Sequence, residues 1–247
     1  MSSESNLTAL SDIGLHRKNN EDAAYAVKTP YGALLIVADG MGGHRKGEVA
    51  SKMVVDSLSI PFLQKTHTFN PFRAKHFLRK NLKAANKDIY HLALSSDEYK
   101  EMGTTAVAAI VGPKETRIVS VGDSRAYVFS DSGLRQITED QTYVEFLYKS
   151  GRISKSEMID HPQKNLLVNA VGINADLGDV EEYSLPNDSY RILLLCSDGL
   201  YNMVSEEEIS EVLSSAALSL EEMAKKLIDL ALLHGGNDNV AVVLWQK

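Results

Sequence analysis

The chain has almost no cysteine and no long apolar run. Its 247 residues include one cysteine, Cys196, which cannot form an internal disulfide or contribute to a multi-cysteine zinc site. No apolar run approaches the roughly 20 residues that span a bilayer. The first 14 residues also lack the basic start and apolar core of a signal peptide. We therefore expect a cytoplasmic protein without a membrane partner.

Basic residues are also fewer than acidic residues. The chain has 26 Lys and Arg against 33 Asp and Glu, which gives a formal net charge of −7. Nucleic-acid binding needs clustered Lys and Arg, and here they are dispersed along the sequence, so we expect no nucleic-acid partner. The 44% of hydrophobic residues is typical of a globular protein with a full core. We expect a single domain over residues 1–247 and a monomer.

Alternating and β-branched residues predict strands grouped in hairpins. Residues 22–40 indicate two strands around a turn at Pro30 to Gly32. Residues 104–138 indicate an antiparallel meander of three β-type runs, with breaks at Gly112-Pro113 and between Asp131 and Gly133. Two more apolar strands are predicted at 191–196 and 239–247.

Helices are predicted in consecutive pairs. The first pair covers residues 47–63 and 70–96, and apolar residues of the second helix recur at steps of three and four. The other pair begins at the plausible N-caps Ser205 and Ser219. Strands in hairpins and helices in pairs predict an α+β fold, with two helical layers around antiparallel sheets. The polar segment from Asp140 to Gly172 is interpreted as a flap-like insertion over a site.

Acidic residues mark the ends of several predicted strands. Asp39 and Asp198 follow the apolar runs LLIVA and LLLCS, so their strands should lie inside a sheet with both carboxylates at one edge. An aspartate beside a glycine or asparagine is usually only a turn residue, which is the alternative for each one taken singly. The other acids in this pattern are Asp123, Asp238 and the pair Glu21-Asp22.

Carboxylates held close together repel one another unless a cation neutralises them. Oxygen ligands without a Cys or His cluster suit Mg²⁺ or Mn²⁺ rather than zinc. Such cations favour phosphate chemistry, because one metal lowers the pKa of a bound water and a pair can clamp the attacking and leaving oxygens. Arg17 is the candidate phosphate anchor, since a guanidinium matches phosphate oxygens; a solvated surface arginine is the alternative.

Two other phosphate chemistries are excluded by the sequence. The P-loop pattern GxxxxGK followed by Ser or Thr is absent. Catalysis through a cysteine phosphoester would need an arginine six residues after Cys196, and that residue is Asn202.

Six motifs, in order and at these intervals, resemble the metal-dependent type-2C protein serine/threonine phosphatases in their compact stand-alone bacterial form. The motifs are RKNNED, VADGMGGHRKGEVAS, MGTTAV, VGDSRAY, LCSDGL and GGNDNVAVV. The resemblance runs from about Ser11 to Trp245. It implies a four-layer α-β-β-α sandwich, in which two mainly antiparallel sheets are flanked by helix pairs, with a dinuclear Mn²⁺ or Mg²⁺ centre at one end.

The resemblance also implies the ligands of that centre. Asp39 would bridge the two metals, and the Gly40 carbonyl would bind one of them. Asp198 and Asp238 would complete the shell of the other metal. A water activated on this centre would attack the phosphorus in line, without a phosphoenzyme.

Further roles follow from the same resemblance. Asp22, together with Glu21, would bind a metal or hold its waters. Asp123 would help to hold the third, weaker metal of bacterial members. Arg17 would take the phosphate of the substrate.

Some residues depart from the pattern of the family. Gln141 stands where the family often has histidine, and Asn169 stands where it often has arginine, so we expect effects on substrate preference and turnover. Arg45 and Lys46 would favour acidic phosphopeptides if they face the phosphate, or they are only surface charge. His44 is a candidate general acid to the leaving group, or is only solvated.

The sequence thus predicts a metal-dependent phosphatase of phosphoserine and phosphothreonine in proteins, which opposes a bacterial serine/threonine kinase. A non-catalytic phosphate-binding module on the same scaffold is one alternative, although such a module would be expected to have lost some of the acidic ligands. A phosphatase of a small metabolite is the other alternative, and it would share the metal site.

Overall fold

The computed structural model describes residues 6–42 and 46–247. Its strands are β1 (Leu7–Asp12), β2 (Asp22–Thr29), β3 (Gly32–Met41), β4 (Gly103–Thr104), β5 (Ala106–Val111), β6 (Glu115–Val121), β7 (Arg125–Ser130), β8 (Gly133–Gln136), β9 (Glu181–Pro186), β10 (Ile192–Cys196) and β11 (Val240–Gln246). Its helices are α1 (Gly47–Leu63), α2 (Pro71–Ser95), α3 (Tyr143–Lys149), α4 (Lys155–Ile159), α5 (Asp198–Tyr201), α6 (Glu206–Ser214) and α7 (Leu220–Leu233).

The strands form two antiparallel sheets that lie face to face. One sheet has the order β1-β11-β10-β7-β8, and the other has the order β2-β3-β5-β6-β9, with β4 beside β3. Helices α1 and α2 pack on the outer face of the second sheet. Helices α6 and α7 pack on the outer face of the first sheet. The fold is therefore the predicted α+β sandwich with the layer order α-β-β-α.

The apolar run of β3 is continuous rather than alternating because both faces of the strand are buried. Leu34 and Ile36 point towards the helices, whereas Leu35 and Val37 point towards the opposite sheet. Successive side chains of a strand face opposite sides, and both sides are buried here. A central strand of this kind holds the residue at its end in a fixed position.

Three details differ from the sequence-based expectation. The run from 115 to 130, expected as one β-type run of a meander, is broken at Gly122, where the chain crosses from one sheet to the other. Gly122 has a φ of +93°, which favours glycine. Strands β1 and β9 were not predicted, because each has partly exposed residues on both faces and lies at the edge of its sheet.

The ends of the second helix pair are as predicted. Ser205 and Ser219 each accept a hydrogen bond from the backbone of the residue three positions later, and a glutamate at that position reaches back. These are capping boxes, which satisfy backbone donors at the start of a helix.

The segment from Asp140 to Gly172 carries the short helices α3 and α4. Its two ends are held by backbone hydrogen bonds: Tyr143 N donates to Leu166 O (2.7 Å), and Val171 N donates to Thr104 O (2.8 Å). The segment thus folds back on itself and returns beside β4. Within residues 6–42 and 46–247, no helix is both long enough and apolar enough to cross a bilayer.

Candidate active site

Acidic side chains from both sheets meet at one end of the sandwich. Asp22 begins β2 and is the direct cross-strand partner of Asp39 near the end of β3. Asp198 follows β10 of the other sheet, and Asp238 precedes β11. These carboxylates, except that of Asp22, line a pocket of about 500 Å³, together with Arg17, Glu21, Gly40 and Asp123. The predicted site residues that the structure describes are therefore gathered around one pocket.

The buried side chains of Asp22 and Asp198 both lie beside that of Asp39. Asp39 is the direct cross-strand partner of Asp22, and its carboxyl is close enough to both others to influence their ionisation. Burial, reinforced by the neighbouring carboxylates, raises the pKa of Asp22 to about 7 and that of Asp198 to about 6. The same two causes raise the pKa of Asp39 well above its ordinary value. Three acids are thus crowded where their negative charge is poorly solvated.

Asp123 adds a fourth acid on the turn between β6 and β7. Burial, together with the charges of Asp198 and Asp140, raises its pKa to about 8. The phenol of Tyr201 donates to the Asp123 carbonyl (3.1 Å), and the Arg125 guanidinium lies 3.6 Å from the centre of the Tyr201 ring. Arg125 in turn makes a forked ion pair with Asp140. The turn that carries Asp123 is therefore fixed from two sides.

Arg17 is the one cationic side chain that lines the pocket among residues 6–42 and 46–247. Its Nη2 lies 2.6 Å from Oδ2 of Asp238, and about half of its side chain is exposed. An exposed ion pair of this kind adds little stability, so the guanidinium can leave Asp238 at small cost. Arg17 is placed both to hold Asp238 and to reach an anion in the pocket.

Two buried polar residues position the acids, and sequence reasoning did not assign them a role. Ser197 donates from Oγ to Oδ2 of Asp22 (2.6 Å) and accepts from the amide of Ala241 (2.9 Å). Asn239 accepts from the amide of Glu21 (2.8 Å) and donates to the carbonyls of Ile13 and Asn19. Asn239 thereby ties the loop of Arg17 to β11. Ser197 directly precedes Asp198 in the motif LCSDGL, and Asn239 directly follows Asp238 in the motif GGNDNVAVV.

The backbone around Asp39 is equally constrained. The Asp39 amide donates to Oγ1 of Thr105 (2.9 Å), and this hydroxyl contacts Ser124 (2.6 Å) next to Asp123. A side chain at Gly40 would collide with the carbonyl oxygens of Gly47 and Glu21. Glycine is required at position 40 because the start of α1 passes directly over the end of β3.

The donor set fits a hard divalent cation by its chemistry. It consists of carboxylate oxygens, and among residues 6–42 and 46–247 no lysine lines the pocket. Burial of these acids destabilises their negative charge. Within residues 6–42 and 46–247, however, no three such side chains surround a point where a metal ion would sit. Because their pKa values are raised, a cation would compete with protons for the carboxyls of Asp22, Asp39 and Asp198.

The flap segment forms the opposite wall of the pocket, with residues 165–170 and 173–174. Two buried side-chain amides fix its position. Gln141 accepts from the amide of Gly122 (3.0 Å) and from Asn169 (2.9 Å), and it donates to the Asp179 carbonyl (3.0 Å). Asn86 of α2 accepts from the amide of Gly172 (2.7 Å). The two departures from the family pattern, Gln141 and Asn169, are therefore partners in one hydrogen-bond network.

Two of the predicted residues, His44 and Arg45, lie outside the described residues. Lys46 is described: it precedes α1 with a φ of 72°, and its Nζ lies 3.6 Å from Glu98. A role for His44 as general acid stays a prediction from the sequence.

Comparison with known proteins identifies one family. The model of the protein phosphatase 2C family matches residues 16–231. A serine/threonine phosphatase of Listeria welshimeri is 40% identical over 237 residues, which cover 96% of this chain and 93% of that protein.

Solved structures show the same similarity. The serine/threonine phosphatase Stp1 of Staphylococcus aureus superposes with a TM-score of 0.91 and 37% identity, and covers 98% of this chain and 94% of that chain. The catalytic domain of the phosphatase PstP, in complex with two manganese ions, superposes with a TM-score of 0.83 and 36% identity over 97% of this chain and 96% of that chain.

The raised pKa values predict how stability depends on pH in the metal-free protein. The folded pKa values of Asp22, Asp123 and Asp198 lie above the value of 3.8 for a free side chain. Between about pH 4 and pH 8 the folded protein therefore binds more protons than the unfolded chain, and the free energy of unfolding falls as pH rises. Urea unfolding in EDTA should show this decrease between pH 5 and pH 8.

The control for the pH experiment is Asp123→Asn, which removes one of the titrating groups and should flatten the decrease. Added Mn²⁺ should stabilise the protein more at pH 8 than at pH 5, because protons compete with the cation. A free energy of unfolding that rises across this window, or the same pH slope in Asp123→Asn, would contradict the assignment.

The amide network predicts that Gln141 holds the flap wall. Gln141→Leu, similar in size, removes three hydrogen bonds and leaves the Gly122 amide without its acceptor. We expect hydrogen exchange of residues 165–172 to become about tenfold faster or more. Gln163→Leu is the matched control, because Gln163 is an exposed residue of the same segment. Equal exchange in both variants would show that Gln141 does not fix the wall.

Proposed function

Because the chain belongs to the protein phosphatase 2C family, we propose that its carboxylate cluster binds two Mn²⁺ or Mg²⁺ ions and hydrolyses phosphoserine and phosphothreonine in proteins. The chain is a serine/threonine protein phosphatase and hence a hydrolase. The observation that carries the proposal is the gathering of acids from both sheets at one end of the sandwich, with Asp22 paired with Asp39 across the strands and Asp39 and Asp198 at one pocket. Their raised pKa values are typical of a functional site.

We assign each acid a role in cation binding from its position in the site. Asp39 lies beside both Asp22 and Asp198, so it is the carboxylate best placed to be shared between two cations, with the Gly40 carbonyl next to it. Asp198 and Asp238 would complete the ligand shell of one cation, and Asp22 would complete that of the other. When bound, the cations supply positive charge for the phosphate and lower the pKa of a water. The relative that binds two manganese ions supports this choice of cation.

Three residues at the rim of the site would assist. Arg17 would leave Asp238 and place its guanidinium fork on the phosphate oxygens. Glu21 lies at the pocket next to Asp22 and would orient water rather than bind a cation directly. Asp123 lies on a separate turn and would hold a third, weaker cation.

The apolar residues that line the pocket support a protein substrate. Its flap wall exposes Leu166, Val168 and Ile173, whose exposed fractions are 49%, 55% and 41%. Apolar side chains beside an anion site suit the flanking residues of a phosphorylated polypeptide better than a small polar metabolite. Such substrates are made by a serine/threonine kinase, which this protein would oppose.

The first prediction concerns metal dependence. The protein should hydrolyse p-nitrophenyl phosphate when Mn²⁺ is present, and EDTA should abolish the reaction. Asp39→Asn should lower kcat by about a hundredfold or more, because Asp39 would hold the cations that orient and activate the water. Asp188→Asn is the control, since Asp188 is an exposed aspartate outside the pocket. Activity that persists in EDTA would refute metal dependence.

The second prediction separates two roles of Arg17. Arg17→Lys keeps the charge but loses the planar fork, so we expect kcat/KM for a phosphopeptide to fall about tenfold or more, mainly through KM. The exposed neighbour Lys18 provides the control Lys18→Ala. If Arg17 served only to hold Asp238, excess Mn²⁺ would restore the variant fully, and the role in phosphate binding would be wrong.

The third prediction concerns the substrate class. Phosphoserine and phosphothreonine peptides should have a higher kcat/KM than small phosphorylated metabolites measured side by side. A preference for a metabolite would favour the alternative of a metabolite phosphatase on the same metal site.

A further inference from the structure

Helix α2 carries a stripe of basic residues on its outward face. Its members recur at steps of three and four, so they lie on one side of the helix, and all are exposed. They are Arg73, His76, Lys80, Lys83, Lys87 and His91. The buried residues of the helix, such as Leu78, Leu82 and Ile89, lie on the opposite side. The stripe therefore points directly away from the sheet.

The charge of this helix is opposite to that of the rest of the protein. Residues 71–95 contain six Lys and Arg and one acid, Asp88, a net charge of +5, whereas the whole chain has −7. The remaining residues thus carry −12. Lys75 and Arg79, on another side of α2, are paired with Glu182. Within the described ranges, no ion pair involves Arg73, Lys80, Lys83 or Lys87.

Large apolar side chains are exposed next to the start of the stripe. Phe72, in the first turn of α2, is 77% exposed, and Ile60 and Leu63, at the end of α1, are 54% and 52% exposed. Ile60 lies opposite the core-facing side of α1, which contains Leu58 and Phe62, so it points outward like the stripe. Pro61, Lys65, Phe72 and Arg73 line one shallow pocket, which joins the ends of the two helices in one surface.

This surface lies away from the carboxylate cluster. The start of α2 lies beside Pro113, in the turn that follows β5. Strand β5 runs antiparallel to β3, so this turn is at the end of the sandwich opposite to Asp39. Contact through this surface would therefore leave the pocket open to solution.

We propose that the start of α2 and the end of α1 form a docking surface for anionic lipid membranes. The basic docking surface is defined by Ile60, Leu63, Phe72, Arg73, His76, Lys80 and Lys83. Lysine and arginine near an anionic leaflet attract its headgroups, and exposed apolar side chains enter the interface between headgroups and acyl chains. The negative charge elsewhere on the protein disfavours other orientations.

A membrane fits this surface better than an acidic protein segment does. The outward side of α2 is the surface of one helix, whose backbone groups pair within the helix, so it offers no free strand edge to an extended peptide. A bilayer accepts both the charges and the apolar side chains over a broad, flat area. The lack of a spanning helix does not bear on this docking, because a peripheral protein needs none.

The test is co-sedimentation of the purified protein with phosphatidylcholine vesicles, with and without phosphatidylglycerol. We expect binding only to the anionic vesicles, weakened by salt. Lys80→Gln/Lys83→Gln should weaken this binding about tenfold or more. Lys225→Gln/Lys226→Gln, which removes two exposed lysines of α7, is the matched control and should bind as the wild type does. Phe72→Ser should weaken the part of the binding that resists salt.

Three results would overturn the proposal. They are no sedimentation of the wild type with anionic vesicles at low salt, equal loss in the two lysine variants, and capture by polyglutamate with no capture by vesicles. The last result would assign the surface to an acidic protein. Hydrolysis of p-nitrophenyl phosphate should be unchanged in every variant, which shows that they are folded and separates this test from that of the catalytic site.

Discussion

The crowding of carboxylates at one end of the sandwich is the constraint on which the rest of this structure depends. Asp22 and Asp198 lie on either side of Asp39, and the burial of all three opposes their ionisation. Near neutral pH such a cluster either retains protons or takes up cations. The fold must therefore supply enough rigidity to hold like charges together, and this requirement explains much of its architecture.

The rigidity comes from central strands and from buried polar partners. Asp39 lies near the end of β3, whose apolar run is buried on both faces, and Asp198 follows the central strand β10 in the other sheet. Ser197 and Asn239 then join the two sheets at the site, since Ser197 binds Asp22 and Asn239 binds the Glu21 amide. Loss of either contact would leave an acid or a backbone group without its partner. The acids are thus fixed by both sheets at once.

The flap combines anchored inner residues with apolar side chains that remain exposed. Its inner residues are held by the amides of Gln141 and Asn86, while Leu166 and Val168 remain about half exposed. A wall anchored at its base with apolar side chains free at its rim can contact many polypeptide sequences.

Much of the fold and of the site could be predicted from the sequence, for identifiable reasons. Long apolar runs that end in Asp39 and Asp198 signal central strands, and Ser205 and Ser219 signal helix starts. The switch of sheets at Gly122 could not be predicted, because glycine after an apolar run is also a common turn. The roles of Ser197, Asn239 and Asn86 depend on contacts between distant segments, which no local pattern reports. The basic stripe of α2 was not predicted, because its residues are separated in the sequence. Only the three- and four-residue spacing of a helix brings them to one side.

The central claim is that the carboxylate cluster is a divalent cation site that exchanges protons for metal. Isothermal titration of Mn²⁺ near pH 6.5, in buffers of different ionisation enthalpy, measures both the number of ions bound and the protons released. The account predicts about two tightly bound ions with net proton release, and weaker binding with less proton release in Asp39→Asn. Binding without proton release, or binding unchanged in Asp39→Asn, would contradict it.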